Sequence, residues 1–537
     1  MSQLSDCTDT TLAGASKRVV IVGGGFCGVL ALANLVDQAE TPCSIVLVEA
    51  NGAPGAGVAY GTPERVHLLN VRTECIGAFA DQPDGFYRWL QSPNGKTQAE
   101  RFAPGVVLTR DSFAPRALYG AYLRQILAES LLKAKAKGIF VQIRQVSAIG
   151  ASLVDSRTQQ VMVTLECGAM QQNLLADALV LATGNPPPRR LAFEAGLGEG
   201  AGNYVVDVWR PQPYSRYPQR VSELPATAEI VLVGTGLTLI DTVLTLRAHG
   251  YQGRITAISR HGWLPAVHAR TRPYPAWELT THPERAPQSA LGLFRRLRAE
   301  IEHAATLGYD WRSVIDSLRP VTPTLWRRLG FDERRKFQRH LATLWNIQRH
   351  RLAPELGAQL QAMQERGELR IVAGTIREVN PTDDGLAVSY CRRGTRHLET
   401  IDAALLLNCA GPDYELLNSG HRLLDNLCKR GLITVGPLGI GLKLTSRGTA
   451  QGRAPDAIFP LGSLLVGELL ESTAVPELRE QAKLVAQKVL RRLTQVERRI
   501  HVDKIVLPTQ PQRPFWTRNI YLGRSTTPHF DSRIYAL

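Results

Sequence analysis

The 537-residue chain lacks both long hydrophobic runs and closely spaced cysteines. No apolar stretch approaches the ~20 residues that a transmembrane helix needs, so we expect no membrane partner. The eight cysteines are at least 16 residues apart in sequence, and none belongs to a CxxC pair. Structural zinc sites and dithiol reductases both need closely spaced thiols. The spacing therefore argues against a bound metal and against disulfide chemistry.

Several other signals are missing. The polar residues 1–17 contain no apolar signal core, which predicts a flexible arm and a cytoplasmic protein. Neither a Ser-His-Asp arrangement nor a metal-ligand cluster is evident. The net charge is +15, and the basic excess is clearest between Leu291 and Arg351. This segment forms either solvated helix faces or a positive field around an anionic ligand. No basic motif with interleaved aromatics indicates a nucleic-acid partner.

A first nucleotide-binding unit begins at Arg18 with "RVVIVGGGFCG". The β-branched run predicts a buried parallel strand. It leads into a G-x-G-x-x-G loop formed by Gly23, Gly25 and Gly28, and then into a helix whose N-terminus suits a pyrophosphate. A second strand, "SIVLVE", ends at Glu49, where a carboxylate suits a ribose 2′-hydroxyl and repels a 2′-phosphate. The unit predicts a site for FAD or NAD rather than NADP.

A second unit, "EIVLVGTGLTLID", begins at Glu229 and keeps the glycines Gly234 and Gly236. Its next strand, "RITAIS", ends without an acid at Ser259 and Arg260. A hydroxyl and a guanidinium at this position suit a 2′-phosphate, which arginine can bind with two hydrogen bonds. The second unit therefore predicts an NADPH site, although Arg260 also fits an ordinary solvated turn.

Each glycine loop is followed by the same downstream pattern. The first half contains "IFVQIRQVSAIGASL", "VMVTLEC" and "ADALVLATGNPPP", and the second contains "LRIVAGTIREVN", "LAVSYCRR" and "IDAALLLNCAGPDY". Both patterns indicate a small antiparallel meander and then a buried strand that ends near a glycine, Gly184 or Gly411. Glycine at that edge lets a ligand approach the backbone.

These repeats predict an α/β fold with two Rossmann-like dinucleotide-binding domains. The predicted FAD domain covers residues 18–210 and 411–498. The NADPH domain, residues 211–410, is inserted into it and carries a basic helical segment at about 290–360. Residues 499–537 are expected to form a C-terminal extension. The proline-rich stretches "GNPPPRR" and "WRPQPYSRYP" mark the outward crossing. "IFPLG", followed by a helix from about Pro476, marks either a corner over the flavin or an ordinary packing helix.

A set of motifs in fixed order resembles the bacterial FAD/NAD(P)-binding protein family of the YdhS type. The motifs are "GAGVAYGTPERVHLLNVRTECIGAFADQPDGFYRWL", "FAPRALYGAYL", "GTGLTLID", "ISRHGWLPAVH", "LW", "RHR" and "STAVPELR". They extend from about Arg18 to Arg492. The family is similar to flavin-dependent N-hydroxylating monooxygenases, and some members resemble enzymes that oxidise the amino group of aspartate. The FxGxxxH fingerprint of Baeyer–Villiger and other flavin monooxygenases is absent.

The resemblance implies roles for individual residues. Gly23, Gly25, Gly28 and Glu49 would hold the adenosine diphosphate half of FAD, with the segment Leu69-Asn70-Val71 near the flavin ring. Arg116 would orient the cofactor, and Gly462 would contact the flavin. Gly234, Gly236, Ser259 and Arg260 would hold NADPH.

The expected chemistry is hydride transfer from NADPH to FAD. The reduced flavin then either reacts with O2 to form a C4a-hydroperoxide that oxidises nitrogen on a small polar substrate, with an amino acid as one option, or passes electrons to another acceptor. A third alternative is a nucleotide-sensing or scaffold protein without turnover. The oligomeric state stays open.

Five residues are candidates for chemistry or substrate binding. The side chain of Asn70 could donate a hydrogen bond to the hydroperoxide, or satisfy a turn. His268 lies either at the nicotinamide or in a surface loop. Arg349, His350 and Arg351 could bind an anionic substrate such as an amino-acid carboxylate, or belong to a basic helix face.

Overall fold

The computed structural model describes residues 17–50, 52, 54–197, 202–210 and 215–505, and only the helical backbone from 496 to 505. Its strands are β1 (Arg18–Val22), β2 (Ser44–Val48), β3 (Phe140–Arg144), β4 (Ser147–Asp155), β5 (Gln160–Cys167), β6 (Met170–Ala176), β7 (Ala178–Leu181), β8 (Tyr204–Val205), β9 (Glu229–Val233), β10 (Arg254–Ser259), β11 (Leu369–Pro381), β12 (Leu386–Arg392), β13 (Leu398–Asn408) and β14 (Ile458–Pro460).

The α-helices follow in the same order. They are α1 (Phe26–Gln38), α2 (Gly57–Tyr60), α3 (Gly85–Leu90), α4 (Pro93–Phe102), α5 (Arg116–Ala136), α6 (Leu237–Ala248), α7 (Glu278–Thr281), α8 (Ala290–Thr306), α9 (Trp311–Ser317), α10 (Thr322–Arg328), α11 (Phe331–His340), α12 (Ala342–Arg349), α13 (Pro354–Glu365), α14 (Arg422–Lys429), α15 (Val466–Leu469) and α16 (Val475–Ile505).

The first sheet is parallel and has the strand order β14-β7-β1-β2-β3. Its strands β1, β2 and β7 are almost wholly buried, as the β-branched runs predict. Helices α1 and α5 cover one face, and the meander β4-β5-β6 and α14 pack towards the other. Every strand of the second sheet comes between β7 and β14 in sequence, so the chain leaves the first sheet and later returns to it.

The second sheet has the order β12-β11-β10-β9-β13-β8, and β12 also pairs with β13. The parallel strands β10, β9 and β13 repeat the arrangement of the first sheet. In the first half the meander is a separate sheet. In the second half β11 and β13 are long enough to run out of the parallel sheet and form the meander with β12. The α/β prediction with two Rossmann-like units is confirmed.

One predicted boundary differs from the structure. β8 pairs with β13, so the chain joins the second sheet at Tyr204, before the predicted start at residue 211. A strand of two residues leaves no periodic pattern in a sequence. Helices α8 to α12 and the start of α13 occupy the predicted helical segment at 290–360.

The chain divides into two compact units, residues 1–496 and 497–537. Both sheets and the helical segment lie in the first unit, and the described part of the second unit, residues 497–505, is helical. The predicted arm lies outside the described residues apart from Lys17, as does the extension beyond Ile505. In the described part of the chain, no helix is long and apolar enough to cross a membrane.

Candidate functional site

A single cavity of about 1970 Å³ joins the carboxyl ends of the two sheets. It exceeds the roughly 300–1,000 Å³ of a pocket for one small ligand, so it has room for more than one. Eleven of the predicted site residues line it: Gly23, Gly25, Glu49, Arg116, Gly184, Gly234, Gly236, Ser259, Arg260, Gly411 and Gly462. The tertiary structure thus brings both glycine loops to one chamber.

The first loop has the geometry of a pyrophosphate site. Gly23 has a φ of +104°, and a Cβ there would lie 2.1 Å from the carbonyl oxygen of Ala182. Gly28 does not line the cavity; a Cβ on it would lie 1.8 Å from the Gly23 oxygen, so it sets the packing of α1 on β1. Gly25 is the N-cap of α1, where no side chain caps the helix. The N–H groups at this helix start suit an anion.

Glu49 lies at the edge of this loop, directly after β2. Its Oε2 accepts a hydrogen bond of 2.7 Å from the N–H of Gly24. The carboxylate therefore stands beside the glycine loop, where the ribose of a bound dinucleotide would lie.

The second glycine loop has the same backbone features as the first, but hydroxyl side chains take the place of the Glu49 carboxylate beside it. Gly234 has a φ of +105°, and Gly236 is the N-cap of α6, again without a side-chain cap. The Thr235 hydroxyl lies 2.8 Å from the Ser259 hydroxyl, which also accepts a 3.0 Å hydrogen bond from the N–H of Gly262. Ser259 lines the cavity, but its hydroxyl joins the glycine loop to the turn at 259–262. That turn carries Arg260.

Arg260 belongs to a basic group at the edge of the cavity. Arg260 is exposed and forms no ion pair with any described residue. Arg260 and Arg377 of β11 both line the cavity. The His261 ring stacks on Trp263 with centroids 4.4 Å apart. Desolvation and the guanidiniums of Arg393 and Arg260 lower the pKa of His261. Arg377, within β11, and Arg393, in the turn after β12, were not predicted from the sequence.

The two domains are joined by an ion pair between Arg116, the first residue of α5, and Asp241 of α6. The Arg116 Nη2 lies 2.8 Å from the Asp241 Oδ2, and both side chains are largely buried. Desolvation raises the pKa of Asp241, whereas Arg116 and His67 act to lower it. The His67 Nε2 lies 2.8 Å from the Thr245 hydroxyl on the same helix. Asp241 and His67 lay within the quoted motifs, but only the fold shows that they meet.

Asn70 and His268 do not line the cavity, which corrects their predicted place at the reacting atoms. The His268 Nε2–H donates a 2.9 Å hydrogen bond to the backbone carbonyl of Asn70. The ring packs against Phe113, and desolvation lowers the pKa of His268 to about 4. His268 is therefore a neutral hydrogen-bond donor that ties the second domain to the segment 69–71 of the first.

Arg349 and Arg351 also lie behind the cavity wall and not on it. Arg349 donates a 2.9 Å hydrogen bond to Glu471, and Arg351 forms two hydrogen bonds with Asp316, at 2.9 and 3.1 Å. Both guanidiniums are already paired with carboxylates. This corrects their predicted role as a clamp for a substrate carboxylate.

The residue between them, His350, does line the cavity. With it the helical segment contributes Trp326, Phe337, Gln338, Ala342, Thr343, Asn346 and Ile347. The indole N–H of Trp326 donates to the carbonyl of Gly467 at 2.9 Å, which joins α10 to α15. His350 was a member of the predicted clamp, whereas Thr343 and Asn346 were not predicted, although their spacing from His350 places all three on one side of α12 and its C-terminal end.

No cluster of His, Cys, Asp or Glu among the described residues could hold a metal ion. The described cysteines are all free thiols.

Residues 20–186 match a protein-family model described as FAD-NAD(P)-binding. The match includes the first glycine loop, Glu49 and Gly184. It confirms the prediction of an FAD- or NAD(P)-type cofactor for this part of the chain. No curated protein matches the chain in sequence.

The fold is similar to those of several solved structures. The reduced form of an ornithine hydroxylase from Pseudomonas aeruginosa is 14% identical, with a TM-score of 0.59 over 89% of this chain and 100% of that one. An ornithine N-hydroxylase from Kutzneria sp. 744, with reduced FAD, NADP+ and L-ornithine, is 14% identical, with a TM-score of 0.56 over 90% of this chain and 100% of that one. An L-lysine 6-monooxygenase from Pseudomonas syringae is 16% identical, with a TM-score of 0.58 over 90% and 99%. At these identities the similarity shows a shared fold.

Proposed function

We propose that the chain is an FAD-dependent oxidoreductase that takes electrons from NADPH and uses O2 to hydroxylate nitrogen on a small molecule. The observation that carries the proposal is the single cavity lined by both glycine loops. A hydride donor and its acceptor must lie in contact and in alignment. A shared chamber allows this contact, whereas two separate pockets would not.

The first loop fits FAD. The start of α1 has no side-chain cap and no acidic residue in its first turn, so its N–H groups are suited to the pyrophosphate. Glu49 would accept hydrogen bonds from the ribose. Gly184 and Gly411 have no atom within 4 Å of where a Cβ would stand, which leaves room for a ligand against the backbone. Gly462, whose φ is +68°, would contact the flavin from the returning chain.

The second loop fits NADPH. The start of α6 likewise has no side-chain cap, and nothing lies within 4 Å of a Cβ on Gly236. Arg260 and Arg377 would bind the 2′-phosphate, for which Glu49 at the first loop is unsuited. The Ser259 hydroxyl would position Arg260 through the turn that it holds.

FAD, when bound, supplies the hydride acceptor and the ring that activates O2. In the net reaction one oxygen atom enters an N–H bond of the substrate and the other leaves as water, with two electrons from NADPH. The chain's own part is to orient the two dinucleotides and to exclude water. The hydrogen bond from Trp326 to Gly467 joins α10 to α15 beside the chamber, where it would help to exclude water.

Nitrogen as the site of oxidation is supported by the shared fold, since the ornithine and lysine hydroxylases have the same architecture. The ordered motifs from "GAGVAYGTPERVHLLN" to "STAVPELR" support membership of the YdhS-type family. Small molecules and O2 are then the expected partners.

The test is an anaerobic titration of the FAD-loaded protein with NADPH, followed in the visible spectrum. We expect the flavin bands to bleach, and a hydroxylated amine to form when air and a substrate amine are added. An amine screen with product detection by mass spectrometry reads the second step. Bleaching without oxygenated product would favour transfer to another acceptor, and a spectrum that stays oxidised with and without amine would overturn the proposal.

A further inference from the structure

One wall of the cavity is formed by helices α10 to α12. Thr343, Asn346 and His350 follow one another at intervals of three and four residues, so they share a face of α12 and its C-terminal end. Gln338 of α11 joins them, and all four side chains line the cavity. Among the described residues that this helical segment contributes to the cavity, none is Asp, Glu, Lys or Arg.

The returning chain between Leu461 and Leu478 contributes an adjoining part of the lining, since Trp326 of α10 donates a hydrogen bond to Gly467 of α15. Its described lining residues are likewise without Asp, Glu, Lys or Arg, and they include Val466, Leu470 and Thr473. These two segments together give the cavity an uncharged region. The ionisable residues that line the cavity elsewhere, such as Glu49, Asp241 and Arg260, belong to other segments of the chain.

Two pairs of opposite charges lie near these segments, and none of their four residues lines the cavity. Arg319 forms two hydrogen bonds with Glu477, at 2.6 and 2.7 Å. Arg349 donates one hydrogen bond to Glu471, which links the helical segment to the returning chain. The guanidinium of Arg334 lies over the Trp326 ring, donates to the backbone carbonyls of Trp326 and Leu329, and does not line the cavity.

His350 is the one titratable side chain that the helical segment contributes to the cavity. Desolvation and the guanidiniums of Arg349 and Arg319 lower the pKa of His350 to about 4, against the opposing effect of Glu477. The imidazole is therefore neutral near pH 7, and one ring nitrogen can accept an N–H. An ammonium or carboxylate brought here would lose its hydration without gaining a counter-charge.

We propose that the α10–α12 wall binds an uncharged, weakly basic aromatic amine, with Trp326 and Phe337 beside its ring and Asn346 and His350 on its nitrogen. The assignment rests on the proposed function, because that function makes the occupant of this wall the substrate. It excludes zwitterionic amino acids, which present charges of both signs. A nitrogen that reacts as a nucleophile must also hold a free lone pair, which an ammonium lacks.

The test compares two amines of similar size, aniline and cyclohexylamine, with L-lysine as a charged ligand. Near pH 7 aniline is uncharged and cyclohexylamine is protonated. We expect calorimetry on the FAD-loaded protein to show aniline binding at least about tenfold more tightly than cyclohexylamine, and no binding of L-lysine. The affinity for cyclohexylamine should rise about tenfold for each pH unit towards its own pKa, while that for aniline stays constant. Equal affinities, pH-independent binding of cyclohexylamine or tight binding of L-lysine would overturn the proposal.

A variant places a carboxylate in the wall. Asn346→Asp should reverse the preference, so that cyclohexylamine binds more tightly than aniline near pH 7. Asn380→Asp makes the same chemical change at an exposed position of β11 outside the cavity, and should leave both affinities unchanged. An unreversed preference in a folded Asn346→Asp protein would contradict the proposal. Amine binding is measured without NADPH. A negative result in this binding experiment is therefore distinct from a negative result in the flavin-reduction experiment, which tests the proposed function.

Discussion

Arg116 of the first domain and Asp241 of the second form a buried ion pair, with 2.8 Å between Nη2 and Oδ2. The Arg116 Nε also donates a 3.0 Å hydrogen bond to the Leu68 carbonyl, and its guanidinium lies over the Trp209 ring. Both residues line the cavity that the two glycine loops share. The ion pair therefore couples the stability of the domain interface to the geometry of the site.

Replacing Arg116 with alanine should destabilise the protein by about 3–5 kcal/mol, because it leaves the Asp241 carboxylate buried without a partner. Desolvation raises the pKa of Asp241 above 3.8, and Arg116 acts against this rise, so removing Arg116 should raise the pKa of Asp241 further. The loss of stability should therefore grow as the pH rises from 3.8 through the folded pKa of the variant, where Asp241 becomes charged. Urea unfolding at several pH values measures it.

The control is the double variant Arg116→Ala with Asp241→Asn. An amide needs no counter-charge, so this protein should recover part of the lost stability and show a weaker pH dependence. A double variant as unstable as Arg116→Ala would mean that packing, and not the uncompensated charge, causes the loss.

Gly28 and Gly236 should respond differently to alanine. A Cβ at Gly28 would lie 1.8 Å from the Gly23 oxygen, so Gly28→Ala must move α1 away from β1 and should cost about 1–3 kcal/mol or more. Nothing lies within 4 Å of a Cβ on Gly236, whose φ is −82°, so Gly236→Ala should fold with unchanged stability. The methyl group of alanine at position 236 should instead obstruct the binding of NADPH.

Thermal unfolding and NADPH binding by the same two proteins separate these effects. We expect Gly28→Ala to lower the Tm and the FAD content, and Gly236→Ala to weaken NADPH binding alone. A lowered Tm with intact NADPH binding in Gly236→Ala would contradict the assignment of the second loop.

Arg260→Ala should raise the Kd for NADPH about tenfold and leave that for NADH nearly unchanged. The loss corresponds to one exposed charge-assisted hydrogen bond to the 2′-phosphate. Arg377→Ala should act in the same direction. Arg430→Ala removes an exposed guanidinium outside the cavity and serves as the control. Fluorescence titration of the parent and the three variants with both nucleotides gives the dissociation constants. An equal rise for NADH and NADPH in Arg260→Ala would show that Arg260 does not bind the 2′-phosphate.

His268→Gln should lower stability while leaving the rate of flavin reduction within about twofold. The pKa of His268 is lowered from 6.5 to about 4 on folding, so its neutral form stabilises the fold above pH 6.5. That contribution is lost as the pH falls from 6.5 through about 4, because the unfolded chain then binds the proton. The variant should therefore unfold with a shallower acid dependence than the parent.

Stopped-flow reduction by NADPH distinguishes this structural role from a catalytic one. A large fall in the rate of flavin reduction in His268→Gln, at full FAD content, would show that His268 acts at the reacting atoms. An unchanged acid dependence would show that its protonation does not contribute to acid unfolding.

Local patterns were enough to predict both glycine loops and the strands around them. Gly23, Gly25 and Gly28 carry their function in their spacing, because the turn, the close backbone approach and the helix packing all arise within a dozen residues. The same holds for Glu49, which follows the next strand. The repeat of meander and buried strand predicted two similar α/β units, one inserted in the other, since alternation and burial are visible along the chain.

The residues that line the cavity away from the glycine loops could not be predicted, because their positions depend on packing between segments that are distant in sequence. In the sequence, "RHR" is three consecutive basic residues with nothing to distinguish their roles. In the fold Arg349 pairs with Glu471 and Arg351 pairs with Asp316. Of the three, only His350 lines the cavity. Which of three neighbouring side chains faces a ligand is decided by helix rotation and by partners more than 30 residues away in sequence. The amino-acid sequence alone therefore identifies the dinucleotide loops, whose contacts are local. The tertiary structure alone decides what lines the rest of the chamber, because those contacts form only when the returning chain closes over it.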